Sequence, residues 1–199
     1  MKNTKERIIK EAAKLFMKQG FDGTSVAEIG TAVGISPSSL FSHFKNKEEI
    51  YENTIEKYVL NSLVTQKKVE DYENFSLRGL LDCYLQRVRN LMGYVEDTAQ
   101  GGSKSQVQYA YFLLESSIKN EDSNKKLISL NSQELDMWEE VIKYAQENEE
   151  VRSDLDASVL AEIFRYSFVG MTHCLAIDNG ATIKQVENML NTFYKIIKK

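Results

Sequence analysis

Apolar residues recur every three or four positions along most of the chain, and a sustained alternation of period two is absent. That pattern predicts an all-α protein of about nine helices and no strand. Ile8, Ile9, Ala12, Leu15 and Phe16 form one stripe over about 5–19, closed by Gly20. After "FDGTS", Thr24 or Ser25 is placed to cap a second helix over 26–33, with Glu28 at the capping-box position. Gly34 stops that helix. Ser36 caps a third, expected over 37–44, in which Pro37 occupies the first turn, where its missing N–H costs nothing. A long fourth helix is predicted over about 47–70.

Beyond it, Leu77, Leu80, Leu81, Tyr84, Leu85, Val88, Leu91 and Met92 set the period of a fifth helix. The stretch "EDTAQGGSKS" reads as a loop. Further helices are predicted over about 106–118, onward to about 148, over 157–177 and over 182–197, the eighth starting at the caps Asp156 or Ser158. One proline and ten glycines in 199 residues suit long helices. No stretch approaches 18 apolar residues and no secretory leader is apparent, so a cytoplasmic protein without a membrane span is expected. Cys83 and Cys174 fit no metal or redox spacing and are expected to be reduced thiols in the core. With two histidines in the chain, no metal site and no cofactor are expected.

Charge divides the chain. Residues 1–47 hold eight Lys or Arg against four acids, a net of +4, so the remainder carries −8 of the overall −4. A basic N-terminal part suggests that this part meets a polyanion. The expected boundary falls at this change of charge, between 1–47 and 48–199.

The helix pair around Gly34 is a helix-turn-helix candidate. Ile29, Val33, Ile35 and Leu40 are apolar where the two helices face each other, and Gly30 is small where they cross. Leu15, Phe16 and Phe44 complete a small core. Ser36, Ser38, Ser39, Ser42 and His43 are then free on a face of short side chains, suited to a major groove about 12 Å wide. Lys45 and Lys47 follow, where phosphate contacts would set register. The start of the second helix, at Thr24 and Ser25, offers N–H groups and a positive dipole end to phosphate. No nucleophile elbow, phosphate-binding glycine loop or catalytic triad spacing is present in the sequence, so no catalytic residue is assigned and no enzyme is expected.

Those residues carry a resemblance. "IIKEAAKLFMKQGFDGTSVAEIGTAVGISPSSLFSHFKNKEEIYENTI" resembles the N-terminal domain of TetR/AcrR-type bacterial transcriptional regulators, and "VRSDLDASVLAEIF" is similar to a turn before the eighth helix in many members. The resemblance implies an all-helical homodimer, with helices one to three on DNA, four to seven around a small-molecule effector and eight and nine pairing with their copies. By matching positions, Thr24 and Ser25 would touch phosphate, Pro37, Ser38, Ser39 and Ser42 would meet the bases, and Phe41, His43 and Lys47 would pack on or bond to the DNA backbone. Two departures stand out: Phe41 replaces the tyrosine of many members, and no Arg, Lys, Asn or Gln precedes Lys45 in the third helix. Readout through serine contacts, thymine methyl packing and DNA shape is therefore expected.

For the larger part, Tyr84, Tyr111, Phe112, Trp138, Tyr166, His173 and Cys174 are candidate effector-lining residues. Phe164, Phe168, Met171, Met189 and Phe193 are candidate dimer contacts, with Gly170 small between them. The functional expectation is a repressor that binds a palindromic double-stranded operator as a dimer and is released by an effector. The alternatives are a helical small-molecule carrier or enzyme with an accessory helix-turn-helix, and a non-specific architectural DNA binder.

Overall fold

The computed structural model describes residues 2–61, 76–98 and 104–199. They are helical, with one isolated antiparallel bridge, Val151 to Lys198, and no strand among the described residues. The helices are α1 (Lys2–Gln19), α2 (Val26–Val33), α3 (Pro37–Phe41), α4 (Lys47–Ile55, continued by a π-helical stretch Glu56–Leu60), α5 (Leu77–Thr98), α6 (Ser105–Lys119), α7 (Glu121–Glu147), α8 (Ala157–Ala176) and α9 (Ile183–Ile197). The expected extension of the fourth helix to residue 70 and the glycine pair Gly101 and Gly102 of the expected loop lie outside the described residues, while Glu96, Asp97 and Thr98 of that stretch continue α5. Among the described residues, no helix is long and apolar enough to cross a membrane.

The chain forms two compact units, residues 1–63 with 94–127, and residues 64–93 with 128–199. In the first, α1 turns Ile8, Ile9, Ala12, Ala13, Phe16 and Met17 inward onto Ile29, Val33, Leu40, Phe44, Ile50, Tyr51 and Ile55. Phe112 of α6 belongs to the same unit and meets the Tyr51 ring edge-on at 5.7 Å. Four aromatic rings are thereby linked, since Tyr51 also contacts Phe16 and Phe21 at 5.0 and 4.8 Å.

The core of the second unit joins Leu77, Leu80, Leu81, Tyr84, Leu85 and Val88 of α5 to Trp138, Val141 and Ile142 of α7, Leu160 and Phe164 of α8, and Val186 and Leu190 of α9. Trp138 stacks on Phe164 at 5.3 Å, and Tyr84 meets Trp138 edge-on at 5.2 Å. The start of α5 is capped from a distance. The Glu150 carboxylate accepts from the N–H groups of Leu77 and Arg78, each at 2.9 Å, and from the Tyr194 hydroxyl at 3.0 Å. A negative group there satisfies two orphan donors and opposes the positive helix end.

The thiols depart from expectation. Cys83 and Cys174 are both exposed. On α5 the buried stripe runs through Leu80, Leu81, Tyr84, Leu85 and Val88, and position 83 falls on the opposite side of the 3.6-residue period.

Candidate nucleic-acid interface

Local rules build the α2–α3 pair. The Ser25 hydroxyl accepts from Glu28 N–H at 3.1 Å, and Glu28 returns a carboxylate oxygen to Ser25 N–H at 2.7 Å, a complete capping box. Those bonds hold the Glu28 carboxyl below its usual range. α2 ends at Gly34, whose left-handed backbone (φ 77, ψ 36) returns its N–H to the Gly30 and Thr31 carbonyls. Arg7 of α1 adds a cationic cap, donating to the Val33 carbonyl at 2.8 Å. Ile35 N–H then bonds to Gly30 O at 2.9 Å. A Cβ on Gly30 would lie 2.9 Å from the Ile35 carbonyl oxygen, so the chain after the turn passes where any other residue would have a side chain.

The Ser36 hydroxyl caps α3, accepting from Ser39 N–H at 3.2 Å and pairing with the Ser38 hydroxyl at 2.9 Å. α3 stops at Phe41, earlier than the expected residue 44. Ser42 turns its hydroxyl back to Ser39 O at 2.7 Å, and His43 N–H bonds to Leu40 O at 2.9 Å, which tightens the chain out of the α-helix. Leu40 and Phe44 are buried and anchor this segment from behind, and Lys5 lies 4.9 Å over the Phe44 ring. Ser36, Pro37, Ser38, Phe41, Ser42 and Lys45 are exposed, while Ser39 and His43 are half-buried. These eight residues share one short, solvent-facing segment free of acidic side chains.

Three of the candidate contacts are committed within the protein or carry company. Thr24 is buried and donates its hydroxyl to Gly20 O at 2.8 Å. Ser25 is exposed, but its hydroxyl donates to the Glu28 carboxylate at 2.7 Å, which sets a negative charge at the start of α2. Lys47 is half-buried and donates to the carbonyls of Phe21 and Thr24, each at 2.9 Å, with its ammonium 4.1 Å over the Phe21 ring.

Of the candidate effector-lining residues, Tyr84 and Trp138 lie together, buried in the second unit. Tyr166, His173 and Cys174 are exposed on α8, while Tyr111 and Phe112 belong to the first unit, one exposed and one buried. Among the candidate dimer contacts, Phe164 lies inside the core, and Phe168, Met171, Met189 and Phe193 pack against that core half-buried. The exposed apolar stripe of α8 runs instead through Val159, Ile163, Tyr166 and the bare backbone of Gly170 to Ile177 beyond its end.

Sequence reasoning passed over a polar knot beside Tyr84. Glu134 is buried, with Arg87 on one carboxylate oxygen and Arg165 on the other at 2.8 Å. The Arg87 guanidinium lies 4.8 Å over the Tyr84 ring. Burial and the Glu134 charge push the Tyr84 phenol above its usual value, so it remains a donor. A signal was present: Glu134 sits one turn before Trp138, in line with the apolar stripe of α7.

Comparison with known proteins agrees with this geometry. Residues 8–54 match the family described as bacterial regulatory proteins, tetR family. The biofilm operon icaADBC negative transcriptional regulator IcaR of Staphylococcus epidermidis is 37% identical over 79 residues, which is 38% of this chain and 40% of that one. Two of the curated relatives are thus matched over only 25% and 40% of their own length. NalD of Pseudomonas aeruginosa, the secondary repressor of the MexAB-OprM multidrug efflux pump, superposes with a TM-score of 0.69 at 15% identity, over 100% of this chain and 97% of that one. SmeT, in a complex with triclosan, superposes with a TM-score of 0.65 at 17% identity, over 99% and 92%. The segment matched to the tetR-family regulatory proteins, residues 8–54, coincides with the helix-turn-helix, and the fold along the whole chain is shared with NalD and SmeT.

Proposed function

We propose that the protein is a repressor that binds a palindromic double-stranded operator as a homodimer and is released by a small-molecule effector. Residues 1–47 form the reading head and residues 48–199 carry the effector site and the dimer contact. The observation that carries this reading is the exposed segment from Ser36 to Lys45, short in side chain and held from behind by Leu40 and Phe44. Serines allow close approach to base edges, and the absence of long bidentate side chains assigns part of the discrimination to DNA shape.

The effector site is assigned to the surroundings of Tyr84 and Trp138. The buried indole N–H of Trp138 has no hydrogen-bond acceptor among the described residues, a cost that an effector oxygen would relieve. The triclosan complex of SmeT is a precedent for small-molecule binding on this fold. The dimer contact is assigned to the Val159–Ile163–Tyr166–Gly170 stripe.

Selection of bound sequences from a random DNA library tests the proposal. Enrichment of a palindrome, with Ser38→Ala and Ser39→Ala each relaxing the preference at inner positions, is the expected outcome. Binding without preference over competitor DNA would overturn it in favour of an architectural binder.

A further inference from the structure

The corner between α1 and α2 is gripped by opposite charges acting on one residue. Phe21 N–H donates to both oxygens of Glu115, at 3.0 and 3.1 Å, and Phe21 O accepts from Lys47 at 2.9 Å. Glu115 comes from α6, 94 residues further along the chain, and is only 7% exposed. It also accepts from the hydroxyls of Tyr51 at 3.1 Å and Tyr111 at 3.3 Å. Burial and the adjacent carboxylate push the Tyr51 phenol well above its usual value, which keeps it a donor.

The surroundings are shaped to this grip. Gly20 has a left-handed backbone (φ 75), and a Cβ there would lie 2.9 Å from a Glu115 oxygen. Lys119, one turn beyond Glu115, pairs with Asp22, and its ammonium lies 5.7 Å over the Phe21 ring. Lys47 covers the same ring and bonds to Thr24 O as well, just before the cap of α2. Charge-assisted bonds to backbone groups are stronger than neutral ones and fix geometry on both sides of the residue.

We infer that Glu115 and Lys47 are positioning residues that clamp the α1–α2 corner, and so set the angle at which α2 and α3 are offered to DNA. Lys47 spends its charge within the protein, on Phe21 and Thr24, instead of on a phosphate. The inference rests on the DNA-binding reading for its purpose, but the clamp itself is testable without DNA.

Amide hydrogen exchange of the full-length protein and of its Glu115→Gln and Lys47→Met variants provides the first arm. Glutamine keeps the shape but turns a donor toward Phe21 N–H or Tyr51. Faster exchange at Phe21 and over 24–28, with α8 and α9 unchanged, is expected; unaltered protection at the corner would overturn the clamp whether or not DNA is bound. The second arm measures affinity for the selected operator across salt concentrations. Both variants are expected to bind about 10-fold or more weakly, with the salt slope unchanged and the double variant little worse than either single one. A Lys47→Met slope that falls by about 0.9, with the corner still protected, would identify Lys47 as a phosphate ligand and overturn the inference. Should selection return no operator, the proposed function fails while the exchange arm still decides the clamp.

Discussion

At the scale of single residues, two glycines four positions apart do different work. Gly34 needs only its backbone angle, because nothing lies within 4 Å of the Cβ it lacks. Gly34→Ala should therefore cost about 1–2 kcal/mol of strain and leave the packing intact, and Gly34→Asn should cost less. Gly30 has an ordinary helical backbone but no room, with Ile35 O at 2.9 Å from its absent Cβ. A carbonyl in a turn cannot swing aside as a side-chain tip can. Gly30→Ala should cost about 1–3 kcal/mol and tilt α3. Denaturant unfolding together with operator binding separates the two: equal loss of stability with affinity retained for Gly30→Ala would sink the distinction. The sequence could place both glycines in a turn, but only the path of residue 35 shows which one is sterically committed.

At the scale of elements, helix positions were legible because caps and period agree. The capping box at Ser25, Pro37 after Ser36 and the cap at Asp156 each begin a helix where the pattern predicts one. The exit of α3 was less legible. Ser42 and His43 follow Leu40, and which of them bonds back to the chain is settled by local competition that periodicity does not register. Charges that serve distant elements were invisible for a related reason. Arg7, Glu115 and Glu150 read as surface charges on their own helices or turns, and acquire partners only through tertiary packing. Glu134 supplies a prediction at this scale. Glu134→Ala removes the buried carboxylate that Arg87 and Arg165 share, and should destabilise the second unit by about 3–5 kcal/mol. Thermal unfolding of the single variant beside the triple replacement by apolar residues is the measurement. A triple variant as unstable as the single one would show that packing, and not the stranded charge, is responsible.

At the scale of the whole molecule, the proposed dimer makes its own demand. The stripe Val159, Ile163, Tyr166 leaves large apolar side chains about half exposed along one face of α8, and Ile177 continues the line at 83% exposure. Ile163→Glu should yield a monomer by light scattering and lower operator affinity by about 100-fold or more, because the second half-site is then reached without tethering. A variant that stays dimeric would move the contact elsewhere. The candidate residues chosen from the sequence straddle this face. Periodicity places Phe164, Phe168 and Met171 on α8, but cannot say that Phe164 points into the core while Ile163 and Tyr166 point out.

The grip of Glu115 on Phe21 bears finally on modularity. Residues 1–47 look like a transplantable head, yet their corner is finished by a carboxylate supplied from residue 115. A chimera that joins this head to another regulator's body would inherit the reading surface without the clasp that aims it. Redesign of operator preference by domain exchange would succeed only if the α6 face bearing Tyr111, Glu115 and Lys119 travelled with the head.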